Sequence, residues 1–262
     1  MQNYKIVIFG AGNVAHHLGK ALKDSGYNII QIIGRTKKTT IELSQKLDCN
    51  YSVNYKNLSD NADIYIIATS DISIPDVLAN VNFKNKVVLH TSGSTAIDIF
   101  GNLPNHGVLY PLQTFSKNRN INFDEVPLFI EANNEKTTQI IKEFAKQLSQ
   151  KVEYANSEKR MHLHLAAVFA CNFTNHMLSL SQELLEKQEL DFDYLNPLVV
   201  ETINKAIEQS PIKSQTGPAI RNDITIIKKH IELLSNNNDY QKLYSFVSKS
   251  IYKLHGRKKR TS

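Results

Sequence analysis

Cysteine is nearly absent from this chain. Cys49 and Cys171 stand far apart with no CxxC spacing, so neither a disulfide framework nor a cysteine zinc site is expected, and a reducing cytoplasm fits. Long apolar runs are missing as well. The first is short and broken by glycine, unlike a signal peptide, and none approaches the ~20 apolar residues of a membrane span, so no membrane association is expected. Metal-binding patterns are lacking too: there is no HExxH and no carboxylate cluster. His162 and His164 are two residues apart, about 200° around a helix, and His16-His17 fails for a similar reason, so no metal is expected. Ser92-Gly93-Ser94 is not a GxSxG elbow, and the glycine turn at Gly10 lacks the lysine of a P-loop. Charge of one sign is only mildly in excess, at +6, much of it in Lys37-Lys38 and Arg257-Lys258-Lys259-Arg260. No aromatic-rich basic face or nucleic-acid motif accompanies it, so the end of the chain reads as a solvated terminus and nucleic acid is not an expected partner.

What is present is a chain of 262 residues with 41% hydrophobic content, enough for a sizeable core and about two domains at ~100–200 residues each. The organising stretch is KIVIFGAGNVAHHL, from Lys5 to Leu18. An apolar run, Ile6 to Phe9, ends at Gly10, and the turn leads into a helical pattern carrying Val14, Leu18, Ala21 and Leu22. Strand, glycine turn and helix in this order form the dinucleotide-binding signature GxGxxA. Gly10 permits the tight turn, Gly12 lets backbone N–H groups approach a pyrophosphate, and Ala15 allows close helix–strand packing. Gly10, Ala11, Gly12, Asn13 and Val14 are therefore the expected pyrophosphate contacts.

A second apolar strand, Tyr27 to Ile33, ends at Gly34-Arg35-Thr36-Lys37-Lys38. An acid here would hold the ribose 2′-hydroxyl of NAD, whereas an arginine accommodates a 2′-phosphate. No acid occurs between Ile29 and Ile41, so Arg35 and Thr36 indicate NADP, with NADPH preferred over NADH. The structural alternative is a solvated basic turn. Thr39 and Glu42 suggest a capping box for a helix through Leu47, and Tyr51 to Val53 a short third strand. The buried strand DIYIIA ends at Ala68, and Ala68, Thr69 and Ser70 are expected beside the nicotinamide. Pro75 suits a first helical turn. KVVLH, Lys86 to His90, leads into Thr91-Ser92-Gly93-Ser94, with Thr95 and Asp98 as candidate caps of a following helix. Strands at Val108 to Tyr110 and Pro127 to Glu131 complete an α/β pattern, a Rossmann-type doubly wound parallel sheet over residues 1–154.

From Tyr154 the composition changes, and residues 155–255 read as an all-α domain, followed by a basic tail, 256–262. Glu158 to Lys187 is uninterrupted by glycine or proline, Leu195 to Gln209 and Tyr240 to Leu254 add helices, and a long helix is expected from about Pro218 to Ser235. There Ile220, Ile224, Ile227, Ile231 and Leu234 form an apolar seam for core or dimer packing. His164, Cys171 and Asn175, spaced by seven and four, fall on one helical stripe with Asn172 adjacent. Two readings are open: His164 exchanges a proton at the nicotinamide while Asn172 and Asn175 orient a carbonyl or imine, or all three are hydrogen-bonded inside a helical core. Around Thr216 to Asp223, Pro218 opens a helix whose N-terminus and Arg221 could receive an anionic group. Asp223 and His230, seven apart, could instead form a structural pair.

These residues resemble a family of Rossmann-like oxidoreductases whose C-terminal half is domain of unknown function 2520. The resemblance spans nearly the whole chain. It rests on GAGNVA from Gly10, HTSGS from His90, YPLQTF from Tyr110, HLAAVFACNF from His164 and TGPAIRND from Thr216. More distantly the layout is similar to pyrroline-carboxylate reductases, prephenate dehydrogenases, ketopantoate reductases and β-hydroxyacid dehydrogenases. That resemblance implies hydride transfer in a cleft between an NAD(P) domain and a helical, often dimerising, domain, hence a homodimer acting on a small molecule. The chain departs from the hydroxyacid pattern: where that group has a lysine four residues before an asparagine, Val168 and Cys171 precede Asn172 and Asn175. The expectation is an NADP(H)-dependent oxidoreductase of a small, anionic ketone, imine or alcohol. Ser92 is assigned to the cofactor, and Gln113, Thr114 and Arg221 to the substrate. The rival reading is a non-catalytic NADP(H)-binding sensor or interaction module.

Overall fold

A computed structural model describes residues 4–256; the expected basic tail, Gly256 apart, lies outside them. The chain divides into two compact units, Met1–Met177 and Leu178–Ser262. In the first, an eight-stranded sheet has the order β3-β2-β1-β4-β5-β6-β7-β8, the strands being Lys5–Phe9, Asn28–Ile33, Asn50–Ser52, Ile64–Ile67, Val87–His90, His106–Pro111, Leu128–Ala132 and Val152–Tyr154 for β1 to β8. The central strands are apolar without alternation because both faces are covered. Along β1, Ile6 and Ile8 enter one core with Leu18, Leu22 and Leu43, whereas Val7 and Phe9 enter the other with Tyr65, Val77 and Phe83. The first of these layers holds α1 (Asn13–Asp24), α2 (Lys37–Leu47) and, against β7, α4 (Glu135–Lys146); α3 (Ile74–Asn80), with Pro75 in its first turn, belongs to the opposite one.

Every neighbouring pair of strands is parallel except β6 with β7. Between those two the chain has no crossover helix and returns through a loop, residues 112–127, that holds a 3₁₀ turn at Phe123–Glu125. The short β8, not expected from the sequence, returns parallel to β7 after α4. The capping box at Thr39 and Glu42 is not formed: α2 starts three residues earlier with Thr36 as N-cap, and the Thr39 hydroxyl bonds back to the Thr36 carbonyl at 3.2 Å. Nor do Thr95 and Asp98 cap a helix. A single 3₁₀ turn, Ile97–Phe100, lies there, and the Ser92 hydroxyl accepts the N–H groups of Ser94 and Thr95 at 3.1 and 2.9 Å.

The glycine-free stretch after Tyr154 forms α5 (Ser157–Ala167), a π-helical segment Val168–Phe173, and α6 (Thr174–Glu186), which leads into the second unit. That unit is wholly helical, with α7 (Asn196–Gln209), α8 (Pro211–Ser214), α9 (Pro218–Arg221), α10 (Ile224–Leu233) and α11 (Asn238–Gly256). The single long helix expected from Pro218 is broken after Arg221. Asn222 adopts a left-handed conformation, φ 57°, and Asp223 caps α10 by accepting the Ile226 N–H at 3.2 Å. Both residue types favour such positions over a helix interior. With its carboxylate so used, Asp223 does not pair with His230, whose Nδ1 meets the Tyr244 hydroxyl at 2.7 Å.

The end of β5 carries a buried histidine. His90 stacks on Phe100 with ring centroids 5.3 Å apart, and its Nδ1 accepts the Ser92 N–H at 3.2 Å. Burial, reinforced by the Arg160 charge, pushes its pKa down to about 3 from 6.5. The unfolded chain therefore takes up a proton below pH 6.5 that the folded one refuses, so this contribution to stability is present above pH 6.5 and is lost as pH falls toward 3. Between pH 7 and pH 4 the loss from this one group is expected to be about 3 kcal/mol, at ~1.4 kcal/mol per pKa unit. Urea unfolding of the parent and of His90→Asn at both pH values measures it as a smaller pH-dependent loss in the variant; equal losses would refute the assignment.

Candidate functional site

The ends of β1, β2 and β4 converge where the strand order reverses direction, between β1 and β4, the place where open α/β sheets bind ligands. Backbone bonds tie these ends together: the Gly10 N–H donates to Ile33 at 2.6 Å, and that of Ala68 to Phe9 at 2.7 Å. Gly10 has φ 110°, and a Cβ there would lie 2.3 Å from the Ala68 carbonyl oxygen, so only glycine fits. Above this edge lies a cleft of about 710 Å³. Residues 10–14, Arg35, Thr36, Ala68, Thr69 and Ser70 all line it, bringing together every expected cofactor contact except Ser92. Val53, Tyr55, Asp76 and Lys117 line it too, although no motif pointed to them.

The cleft suits a dinucleotide. Gly12 is the N-cap of α1, no side chain accepts a hydrogen bond there, and the first turn holds no acid, so the N–H groups and the positive end of the helix dipole are available to a pyrophosphate. A Cβ at Gly12 would meet nothing within 4 Å, which leaves room for a ligand against the backbone. At the end of β2, Arg35 is exposed and Thr36 is the N-cap of α2, whose first turn also lacks an acid. The carboxylate that does line the cleft, Asp76, is engaged by the Tyr55 hydroxyl at 3.1 Å and by the side chain of Asn80 at 3.0 Å.

A second cluster adjoins the ends of β5 and β6. Ser70, on the cleft wall, is followed by Asp71, whose carboxylate accepts the Ser94 hydroxyl. Next to Ser94, Gly93 lies directly under the rings of Tyr110 and His164: a Cβ there would be 2.7 Å from the Tyr110 ring and 2.8 Å from His164 Nδ1. Tyr110, at the end of β6, is buried, and its hydroxyl is 3.1 Å from His164 Nδ1. Burial pushes the phenol pKa up, with Arg160 opposing and Asp71 adding to the shift, which favours the protonated phenol. Sequence reasoning found His164 but missed this tyrosine, although it stands in the YPLQTF motif.

His164 is held in place from one turn below. Arg160, 1% exposed, forms a buried ion pair with Glu131 of β7 and also donates to the Thr95 carbonyl. Glu131 accepts the Ser157 N–H and hydroxyl as well, at 3.0 and 2.9 Å. Residues four apart share a helix face, so fixing Arg160 aims His164 at Tyr110. The stripe linking His164 to Cys171 and Asn175 does not continue with α-helical spacing, because the π segment bonds i to i+5 and inserts an extra residue into the turn. His164 is half-buried, while Cys171, Asn172 and Asn175 are exposed. Ser92 is buried, its hydroxyl engaged within its own turn. Gln113 and Thr114 are exposed on the loop after β6 and bonded to each other. Arg221 stands exposed on α9 in the second unit.

Two family models match the chain: NADP oxidoreductase, coenzyme F420-dependent, over residues 5–93, and domain of unknown function 2520 over residues 126–251. No curated protein sequence matches it. Among solved structures, a putative NADP oxidoreductase from Bacteroides fragilis is 42% identical with a TM-score of 0.91, the alignment covering 96% of this chain and 98% of that one. A Thermotoga maritima protein follows at 20% identity and a TM-score of 0.72, covering 97% and 99%. An imine reductase from Pseudomonas sp. shares the fold at 15% identity and a TM-score of 0.64, covering 97% and 99%. By its cleft, its two matching family models and its full-length similarity to the Bacteroides fragilis protein, the chain is a member of that NADP oxidoreductase family, a Rossmann-type half joined to domain of unknown function 2520.

Proposed function

We propose that the protein is a cytoplasmic NADPH-preferring reductase or dehydrogenase that moves a hydride to or from a small, anionic ketone, imine or alcohol, and that it works as a homodimer. The observation that carries this reading is the convergence of the residue 10–14 turn with Arg35 and Thr36 in one cleft. The bound nicotinamide would supply the hydride chemistry. The chain's own residues hold the dinucleotide: backbone N–H groups at the start of α1 take the pyrophosphate, and the Arg35 guanidinium with the Thr36 hydroxyl takes the 2′-phosphate.

The proton belongs to Tyr110 and His164. A protonated, buried phenol can give its proton to the heteroatom of the reacting C=O or C=N group, and the half-buried imidazole 3.1 Å away can replace it. Asn172 and Asn175, on and just after the π segment, are assigned the orientation of that group. The absence of a lysine four residues before Asn172 or Asn175, where Val168 and Cys171 stand, suits imine reduction, for which proton donation suffices. The homodimer is supported by the second unit itself: of residues 178–255 only Ala219 is buried, while Ile207 and Leu233 are 78% and 82% exposed. Helices without a core of their own need a covered apolar face.

Three measurements test the proposal. NADPH is expected to bind the parent at least about tenfold more tightly than NADH, and Arg35→Ala to abolish the preference by weakening NADPH alone; equal affinities in the parent would remove the NADPH assignment. On the ketone or imine that the parent reduces, Tyr110→Phe and His164→Ala are each expected to lower kcat by about 10²-fold or more with NADPH affinity unchanged; full turnover in either variant would clear that residue of a role. Sedimentation equilibrium at micromolar concentration is expected to give twice the chain mass of 29.7 kDa, and a stably folded monomer would end the dimer proposal.

A further inference from the structure

The loop from β6 to β7 is strapped onto α1. The Asn13 side-chain amide donates to the Phe115 carbonyl at 2.8 Å, His17 Nε2 lies 3.0 Å from the Ser116 carbonyl, and the His17 and Phe115 rings stack at 5.1 Å. Phe115 stacks in turn on Phe123 of the same loop. The next four residues close a turn, with the Arg119 N–H donating to Ser116 at 3.0 Å. Lys117 is the first residue past the strapped carbonyl, and it lines the cleft together with residues 10–14. Among the described residues it forms no ion pair, and Asp76, the carboxylate on the cleft wall, is bonded to Tyr55 and Asn80. Its charge is also felt at the start of α1, where burial first, and then Lys46, His17, Lys117 and Lys20, push the pKa of His16 down.

An uncompensated ammonium on an anchored loop, beside a helix N-terminus with no acid in its first turn, matches a doubly charged pyrophosphate. We infer that Lys117 is a cofactor-binding residue that neutralises the dinucleotide pyrophosphate from the side opposite α1. The inference rests on the dinucleotide reading of the cleft. It separates two cationic subsites by their chemistry: Arg35 sees only the 2′-phosphate that distinguishes NADPH, whereas Lys117 sees the pyrophosphate that NADPH and NADH share. Asn13 and His17 then have a positioning role, since they hold the loop that presents the lysine.

The test is a fluorescence titration of the full-length protein with NADPH and with NADH, at low and moderate salt, for the parent, Lys117→Gln, Lys117→Arg and Arg35→Ala. Lys117→Gln is expected to weaken both nucleotides by the same factor, about five- to tenfold at low salt and less at moderate salt, and Lys117→Arg to restore most of the loss. Arg35→Ala is expected to affect NADPH only. If Lys117→Gln binds both nucleotides as the parent does, Lys117 is a solvated surface charge and the inference falls. A loss confined to NADPH would move Lys117 to the 2′-phosphate and overturn the pyrophosphate assignment. If the parent itself binds neither nucleotide, the dinucleotide reading fails first and takes this inference with it.

Discussion

Two charges out of water, Glu131 and Arg160, hold together the segments of the first unit around Tyr110 and His164. Removing such ions from solvent costs several kcal/mol each, and their mutual attraction compensates only when the remaining polar atoms are satisfied. Here Glu131 also accepts two hydrogen bonds from Ser157, and Arg160 also donates to the Thr95 carbonyl, so that most of the pair's polar atoms are engaged and the Arg160 Nε is left without a partner among the described residues. The Ser157 hydroxyl accepts the Ile97 N–H at 2.9 Å, which draws the turn after β5 into the same network. One ion pair therefore joins β7, the β5 turn and the first turn of α5. An apolar contact at that point would attach the helix without fixing its rotation, because burial is not directional. A bonded guanidinium sets the rotation, and His164, four residues on, inherits it.

The two halves of the site obey different physics. The cleft over β1, β2 and β4 is built almost wholly from backbone: a glycine turn at φ 110°, a helix start with no side-chain cap, and strand ends tied by main-chain bonds. Such a site is rigid because its parts are the fold itself. The Tyr110–His164 pair depends on side chains from distant segments, 54 residues apart, brought together by the ion pair and by the absence of a side chain at Gly93. Its geometry is consequently open to change by substitutions that leave the sheet intact.

That difference explains what could be read from the sequence. The cleft was legible because each of its elements is local: GAGNVA, the acid-free end of β2 at Arg35 and the small polar residues after Ala68 all carry their meaning within a few positions. Tyr110 and Lys117 were not, since nothing in their immediate neighbourhoods states that one meets His164 and the other returns to α1. The antiparallel β6–β7 pairing escaped for a related reason: Val108 and Ile130 read as buried strand residues in either direction, and only the length and path of the connection decide. The π segment is harder still. Its residues, VFACNF, have no composition that separates π from α, so a stripe drawn with period 3.6 from His164 to Asn175 loses its register midway.

The helical half shows the limit of periodicity from the other side. Ile220, Ile227, Ile231 and Leu234 do lie on half-buried positions, but Ile224 is exposed and the seam is broken at Asn222. An apolar repeat states that a face requires cover; it does not state what supplies it. In the sheet unit the cover is present, and strand residues such as Ile6, Ile8 and Ile66 are fully buried. In the helical unit Leu198, Val200 and Phe246 are all exposed, so the same hydrophobic signal that marks a core in one half leaves apolar surface in the other. With a single buried residue, Ala219, among 178–255, the helices have too little internal apolar contact to offset the chain entropy of ordering them. On the homodimer proposed above, association covers that apolar surface, and folding of this half and assembly of the protein become one equilibrium.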